Sequence, residues 1–328
     1  MSTAASGLNQ PGGPLFGRFA QLVVSNSSQG VDLSQLRFRF EVRANDADTP
    51  NVLTVRIYNL KESTVKKIIA EFDTVTLTAG YENGAKGTIF TGTVKQFKFG
   101  RERNVDSYLE ILAADGDLAH QSTVNIARPA GTTDSQSLSD LAAAMGIPVA
   151  QTADGFLSAS GIVPSPRGKT YFGMTRAYTA NLAEKNGTRY SIQNGVLTLV
   201  PNTGYLQGEI VVLNSLSGMI GQPESTDNGI MVRCLLNPLI HVGRAVQIDN
   251  ASITQFGFPA ANSGIGHPGA GGAFLSQFYP ASTAADGLYR VLVVEHVGDT
   301  RSNDFYTELT CLVIDRSSPT NQSVLPQG

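Results

Sequence analysis

The sequence predicts a β-dominated α+β fold, two similar β-domains separated by a small inserted α+β region. Three observations carry this expectation. Apolar residues make up 41% and charged residues only 16%, with 34 glycines and no tryptophan, which describes a turn-rich chain with ample apolar surface for cores. Strand-like segments alternating with period two recur toward both ends. One strand pattern is also written twice. The first copy runs through Val75–Tyr81, Gly87–Phe97, a polar turn over Gly100–Asp106, and Ser107–Asp115. The second runs through Val246–Asp249, a long loop, Gly287–His296, a polar turn over Gly298–Asp304, and Phe305–Asp315.

Residues 1–15 are rich in Ser, Ala, Gly and Pro and read as a flexible N-terminal arm. The first β-domain, 16–118, opens on the strand Arg18–Val24. Leu36–Arg43 alternates apolar with charged residues, the pattern of a half-buried strand, and Asn51–Tyr58 follows as a third. Asn59 with Glu62 three residues on has the spacing of a capping box. Val65, Ile68, Ile69 and Phe72 then recur at helical spacing, so an amphipathic helix is expected over Leu60–Glu71 with Lys66 and Lys67 outermost. Asn83-Gly84 is a hairpin signal between the next two strands. This domain would close as a small β-barrel or sandwich.

The segment 119–224 has a different texture. Ser137–Met145 reads as a helix stopped by Gly146 and Pro148, and Arg176–Lys185 as another stopped by Asn186-Gly187. The strands Arg189–Gln193 and Val196–Pro201 flank an Asn194-Gly195 turn. The second β-domain, 225–317, holds Ile230–Leu236, the breaker Asn237-Pro238, Gly243–Ile248, and a long 250–287 loop before the duplicated hairpin. The tail 318–328 is polar and reads as loose.

Composition excludes several function classes. A net charge of −3 and a pI near 5.8 supply no basic field to recruit nucleic acid. Cys234 and Cys311 both lie in apolar strand-like runs and read as buried thiols, with a disulfide possible only if their strands face each other. Met1–Pro11 lacks the basic start and apolar stretch of a signal peptide, and no apolar run approaches the ~18 residues of a membrane span. The expectation is a soluble protein made in the cytoplasm, with no membrane anchor.

Gly264-Ile-Gly266-His-Pro-Gly269 satisfies GxGxxG, but it sits in a Gly, Ala and Pro-rich loop with no helix pattern after it, where a dinucleotide site needs a strand before and a helix behind. The loop reads instead as a segment that contacts another subunit. His120, His241, His267 and His296 are scattered, with no pair at metal-ligand spacing. Glu295, Asp299, Asp304 and Glu308 cluster about one hairpin and could be drawn as a hydrolase pair. The equivalent loop carries Arg101, Glu102, Arg103 and Asp106, however, so a solvated hairpin tip is the simpler reading. Arg37, Arg39 and Arg43 recur with period two and mark a sheet face that is solvated or meets a partner. Catalytic, cofactor-binding and metal sites are therefore all expected to be absent.

The order of these segments resembles a known family. Thr54–Leu60, then a helix, then Val75–Tyr81 and Thr88–Val94 look like the opening of phage baseplate hub proteins. The helix–hairpin insert, Gly229–Arg233, Leu236–Pro238, Gly243–Ile248 and Tyr289–Asp299 agree with that family in turn. The resemblance, to hubs of contractile-tailed bacteriophages of the Mu-like and T-even kind and to the N-terminal regions of type VI secretion spikes, covers about Phe16 to Asp315. It implies a homotrimer in which two tube-like β-barrel domains per chain form a pseudo-sixfold ring. Such a ring joins a hexameric tail tube protein to a trimeric central spike protein, with contacts to the tape-measure protein and other baseplate subunits. DNA would pass through its lumen without sequence recognition, and the protein would reside in the virion after assembly in the host cytoplasm. Two other readings stay open: another tail structural or cell-surface binding module, and a carbohydrate-active β-protein, which the lack of tryptophan disfavours.

Overall fold

A computed structural model describes residues 15–102, 105–159, 164–214, 217–226, 229–248 and 287–314. Nearly all of the N-terminal arm, the GxGxxG segment with the rest of the 250–286 loop, and the 318–328 tail lie outside the described residues.

The first β region is made by β1 (Arg18–Ser25), β2 (Gly30–Asp32), β3 (Phe38–Asn45), β4 (Val52–Tyr58), α1 (Glu62–Glu71), β5 (Thr74–Tyr81), β6 (Lys86–Glu102) and β7 (Asp106–Ala114). Strand β3 shows the alternation read in the sequence: Phe38, Phe40 and Val42 are buried, and Arg39, Glu41 and Arg43 are exposed. The buried side chains of β1 and β3–β7 meet in one core that Val65, Ile68 and Phe72 cover from α1. A fully buried Leu or Phe in such a core contributes about 1.5–3 kcal/mol relative to its exposed state.

The entry to α1 differs from expectation. Lys61, not Asn59, occupies the N-cap position, without a side-chain cap. Asn59 takes a left-handed conformation (φ 55°), which Asn tolerates, and its side chain turns toward β7: Oδ1 accepts from the Ser107 N–H at 3.2 Å and Nδ2 donates to Asp106 at 3.1 Å. Ile69 is 45% exposed, whereas Lys66 and Lys67 lie outermost as read, paired with Glu62 and Glu71 one turn away.

Between the β regions lie α2 (Asp117–His120), β8 (Thr123–Arg128), α3 (Asp134–Met145), α4 (Gln151–Ala159), β9 (Lys169–Met174), α5 (Thr175–Lys185), β10 (Thr188–Gln193) and β11 (Val196–Pro201). These elements share their own apolar core. The hairpin β10–β11 turns on Asn194 (φ 52°) and Gly195 (φ 76°), the left-handed pair that a two-residue hairpin requires. Helix α3 begins earlier than its apolar pattern suggests, because Thr133 and Gln136 form a reciprocal capping box. Strands β8 and β9, with helices α2 and α4, have no counterpart in the sequence reading.

The second β region comprises β12 (Leu206–Leu213), β13 (Met219–Thr226), β14 (Gly229–Leu235), β15 (Arg244–Ile248), β16 (Leu288–Asp299) and β17 (Phe305–Val313). It does not form a sheet apart from the first. The strands of both β regions join a single 13-stranded sheet ordered β13-β14-β17-β16-β3-β4-β7-β6-β5-β1-β2, with β15 beside β16 and β12 beyond it. No closed barrel is present among the described residues: β3 does not return to β1 or β2 but pairs with β16.

Candidate assembly surface

The duplication read in the sequence extends to strand pairing. In the first copy β4, β7, β6 and β5 lie side by side, all antiparallel, and in the second β14, β17, β16 and β15 do the same. Each long strand carries one bulge against its partner, between Val94 and Gln96 in β6 and between Val291 and Val293 in β16. Aligning the bulges superimposes Phe97 on Val294, Lys98 on Glu295 and Glu102 on Asp299.

Side chains repeat as well. Arg56 on β4 lies opposite Glu110 on β7 and donates to it from Nε (3.0 Å) and Nη2 (2.5 Å), while its guanidinium sits 4.3 Å from the Tyr108 ring centroid. Arg233 on β14 pairs likewise with Glu308 on β17 and lies 4.7 Å from the Tyr306 ring centroid. Hydrogen bonding to Glu110 raises the Arg56 pKa further. This triad of arginine, glutamate and tyrosine stands on the polar face of the sheet, opposite the face covered by α1. Its sequence signature is Val55-Arg56 against Val232-Arg233, a shared dipeptide on a fourth duplicated strand that the hairpin comparison passed over.

The two copies meet where β3 pairs antiparallel with β16, from Val293↔Asn45 to Asp299↔Arg39. Strand β15 covers only the start of β16, so its far half is free to accept β3. The tip of the β16–β17 hairpin is clamped by first-copy residues. Asp299 is 2% exposed and accepts from Arg37 at 2.8 Å and from the N–H groups of Arg301 (2.8 Å) and Ser302 (3.1 Å). Burial pushes its carboxyl up, but the Arg37 and backbone donors outweigh it and hold the pKa below the usual value. Arg18 donates to the carbonyls of Ser302 (2.6 Å) and Asn303 (3.0 Å), and the Phe38 N–H donates to Thr300 Oγ1 at 3.1 Å. Gly298 lies against Phe40, where a Cβ would come within 2.4 Å of the ring. Beside this junction a cleft of about 210 Å³ is lined by Arg39, Glu41, Arg56, Glu110 and Asp304.

A second clamp holds the β10–β11 hairpin to the first copy. The buried Asp115 carboxylate accepts from the N–H groups of Asn194 (2.5 Å) and Gly195 (2.9 Å), and Asn51 Nδ2 donates to the Ile192 carbonyl at 2.9 Å. Burial pushes Asp115 up to about 6, against those hydrogen bonds. Arg290, 8% exposed, ties the second copy to the same region by donating to the carbonyls of Pro201 and Asn202.

The residues singled out by sequence fall into these structural roles. Of the four hairpin carboxylates, Asp299 is the junction acceptor, Glu308 is neutralised by Arg233, Glu295 lies across from Arg43, and Asp304 lines the cleft. Arg37, Arg39 and Arg43 reach the junction from the first copy. His296 is buried with Nδ1 2.9 Å from Thr307 Oγ1, and burial with the nearby His241 lowers its pKa to about 3. Burial and Arg244 lower His241 to about 4. His120 packs against Tyr190, and His267 lies outside the described residues. Among the described residues no three His, Cys, Asp or Glu side chains gather as a metal-holding group. Cys234 and Cys311 are free and buried: the register sets Cys234 opposite Thr307 and Cys311 opposite Ile230, and burial pushes the Cys234 thiol to about 12. No described helix is long and apolar enough to cross a membrane.

This architecture is shared with solved phage tail proteins. The tail protein from Neisseria meningitidis MC58 matches with a TM-score of 0.52 at 12% identity, covering 90% of this chain and 96% of that one. The 43 kDa tail protein of prophage MuSo2 from Shewanella oneidensis matches with a TM-score of 0.53 at 9% identity, covering 89% of this chain and 98% of that one. A weaker likeness, TM-score 0.46 at 11% identity, covers 98% of this chain and 79% of the E. coli c3393 protein, a component of the type VI secretion system. No curated protein matches the chain in sequence. The fold is thus one that this chain shares with the Neisseria and Shewanella proteins. Residues 42–253, well over half of the chain, match the family described as baseplate hub gp41, and the chain belongs to that family.

Proposed function

We propose that this protein is the structural hub of a phage tail baseplate, a homotrimer whose six similar β units form a ring joining the hexameric tail tube to the trimeric central spike. The observation that carries this reading is the repetition of one sheet arrangement within a chain, with the copies already joined edge to edge by β3 and β16. Two units joined in this way form an arc, and repeating the same junction between chains closes a ring after three chains. In that ring the segments 16–118 and 225–317 act as the two tube-like domains, each completed as a barrel by its neighbours, with 119–224 as an insert outside them.

The polar sheet face, opposite α1, suits the channel side. Arg56 is paired with Glu110 and Arg233 with Glu308, and Glu41 and Glu295 stand beside Arg39 and Arg43 on the same face, so acidic and basic side chains are interspersed where DNA would pass. Spike and tube proteins are the principal partners, with the tape-measure protein and other baseplate subunits as further contacts. The protein would be carried in the virion tail after assembly in the host cytoplasm, and its work is structural rather than enzymatic.

Light scattering or mass photometry of the purified chain, alone and with its tube and spike proteins, tests the reading. A trimer, formed alone or on adding the spike, supports it. A chain that stays monomeric with both partners refutes the adaptor.

A further inference from the structure

The strand directions set both repeated hairpins at one end of the shared sheet. From β16 through β3, β4 and β7 to β6, every neighbouring pair is antiparallel. Those reversals leave β6 and β16 running the same way, so the β6–β7 and β16–β17 hairpins project from the same end. Their connecting segments are short and of mixed charge in both copies: 103–105 follows Arg101 and Glu102, and 300–304 carries Arg301 and Asp304. Val105 is 86% exposed, and residues 301–304 are exposed as well. Helix α1 also starts from this end, but Val65, Ile68 and Phe72 lay it over the apolar core, beside the sheet and not beyond its end.

At the opposite end the two copies differ. The connection from β5 to β6 there is 82–85, whereas its counterpart from β15 to β16 is 249–287. Strand β7 also ends there and leads into the α+β insert, whose β10–β11 hairpin is fastened at that end. Asp115 holds its turn, Asn51 donates to the Ile192 carbonyl, and Ser191 Oγ donates to the Asn45 carbonyl at 3.2 Å. Arg290, near the start of β16, reaches the same insert from the second copy.

We propose that the hairpin end, with Val105 and Asn303 at its tips, is the docking face for the sixfold partner, and that the insert end faces the threefold partner. Two similar hairpins in each of three chains offer six like contacts at one end, whereas the insert occurs once per chain and offers three. Only the hairpin end can therefore meet a sixfold ring contact for contact. The inference rests on the trimeric ring proposed above and says which way that ring faces.

The test places the photo-cross-linker p-benzoylphenylalanine in the full chain, in separate variants, at Val105, at Asn303 and at Ala47, which is exposed in the β3–β4 turn at the opposite end. Each variant is irradiated with the tube protein and, separately, with the spike protein. The probes at Val105 and Asn303 should both cross-link to the tube protein and not to the spike, and the probe at Ala47 should not reach the tube. A particle of trimer mass overturns the end assignment, and leaves the trimer standing, if its tips cross-link to the spike or to neither partner, if only one tip reaches the tube, or if Ala47 does. A chain that is monomeric throughout overturns both.

Discussion

Arg56 shows how much a single side chain does at this surface. It makes a two-pronged bond to Glu110 and stacks on Tyr108, and Arg233 repeats the ring contact and pairs with Glu308 through Nη2. A lysine would keep the charge but lose the planar fork and the stacking. Arg56→Lys should therefore lower the urea midpoint by an amount equivalent to about 1 kcal/mol, and an unchanged midpoint would show the pair to be idle. The buried histidines predict a pH response. A base whose folded pKa lies below its unfolded value of 6.5 stabilises fully above 6.5 and loses that contribution as pH falls through the folded value. For His241 that value is about 4, and for His296 about 3. Asp115 acts in the opposite sense: with a folded pKa of about 6, its contribution is complete below 3.8 and is lost as pH rises through 6. Unfolding midpoints should fall between pH 7 and pH 4. His296→Gln should flatten that limb, and an equally steep limb in the variant would remove His296 as the cause.

At the scale of elements, the caps and turns can be tested one at a time. Removing the α3 cap with Thr133→Ala should cost about 1 kcal/mol, read by thermal or urea unfolding. Gly195→Val places a β-branched residue at φ 76° and should cost more than Thr133→Ala, because it strains the turn that Asp115 holds. The strands forming the repeat were legible in the sequence because period-two alternation survives wherever one sheet face is buried, as in Phe38, Phe40 and Val42. The elements that escaped have weaker patterns. β9 exposes Phe172 and buries Tyr171, so its apolar residues do not alternate with polar ones, and α4 is short with a glycine inside it. Asn59 misled because its spacing to Glu62 is a capping signal, while the tertiary bond to Ser107 fixed a different backbone. The polar-face triads went unread because they join strands far apart in sequence and depend on register, which alternation alone does not set.

For the whole molecule, the junction around Asp299 decides whether the two copies stay in register. Asp299→Ala would remove the shared acceptor of the half-exposed Arg37 and of the Arg301 and Ser302 N–H groups, at a cost of about 1–2 kcal/mol. The same variant should become more susceptible to protease at the 300–304 hairpin tip, and a tip equally resistant in both would mean that Arg18 and Phe38 hold it alone. The single sheet was harder to foresee than its strands, since two similar strand sets are compatible equally with two closed barrels and with one shared surface. Which of these forms depends on whether β3 pairs with its own set or with β16. Because β3 and β16 belong to one polypeptide, their pairing forms at an effective concentration fixed by the intervening chain and not by how many copies the cell has made. A junction of that kind is complete as soon as the chain folds, even when copies are scarce, and it leaves only the contacts between chains to depend on dilution.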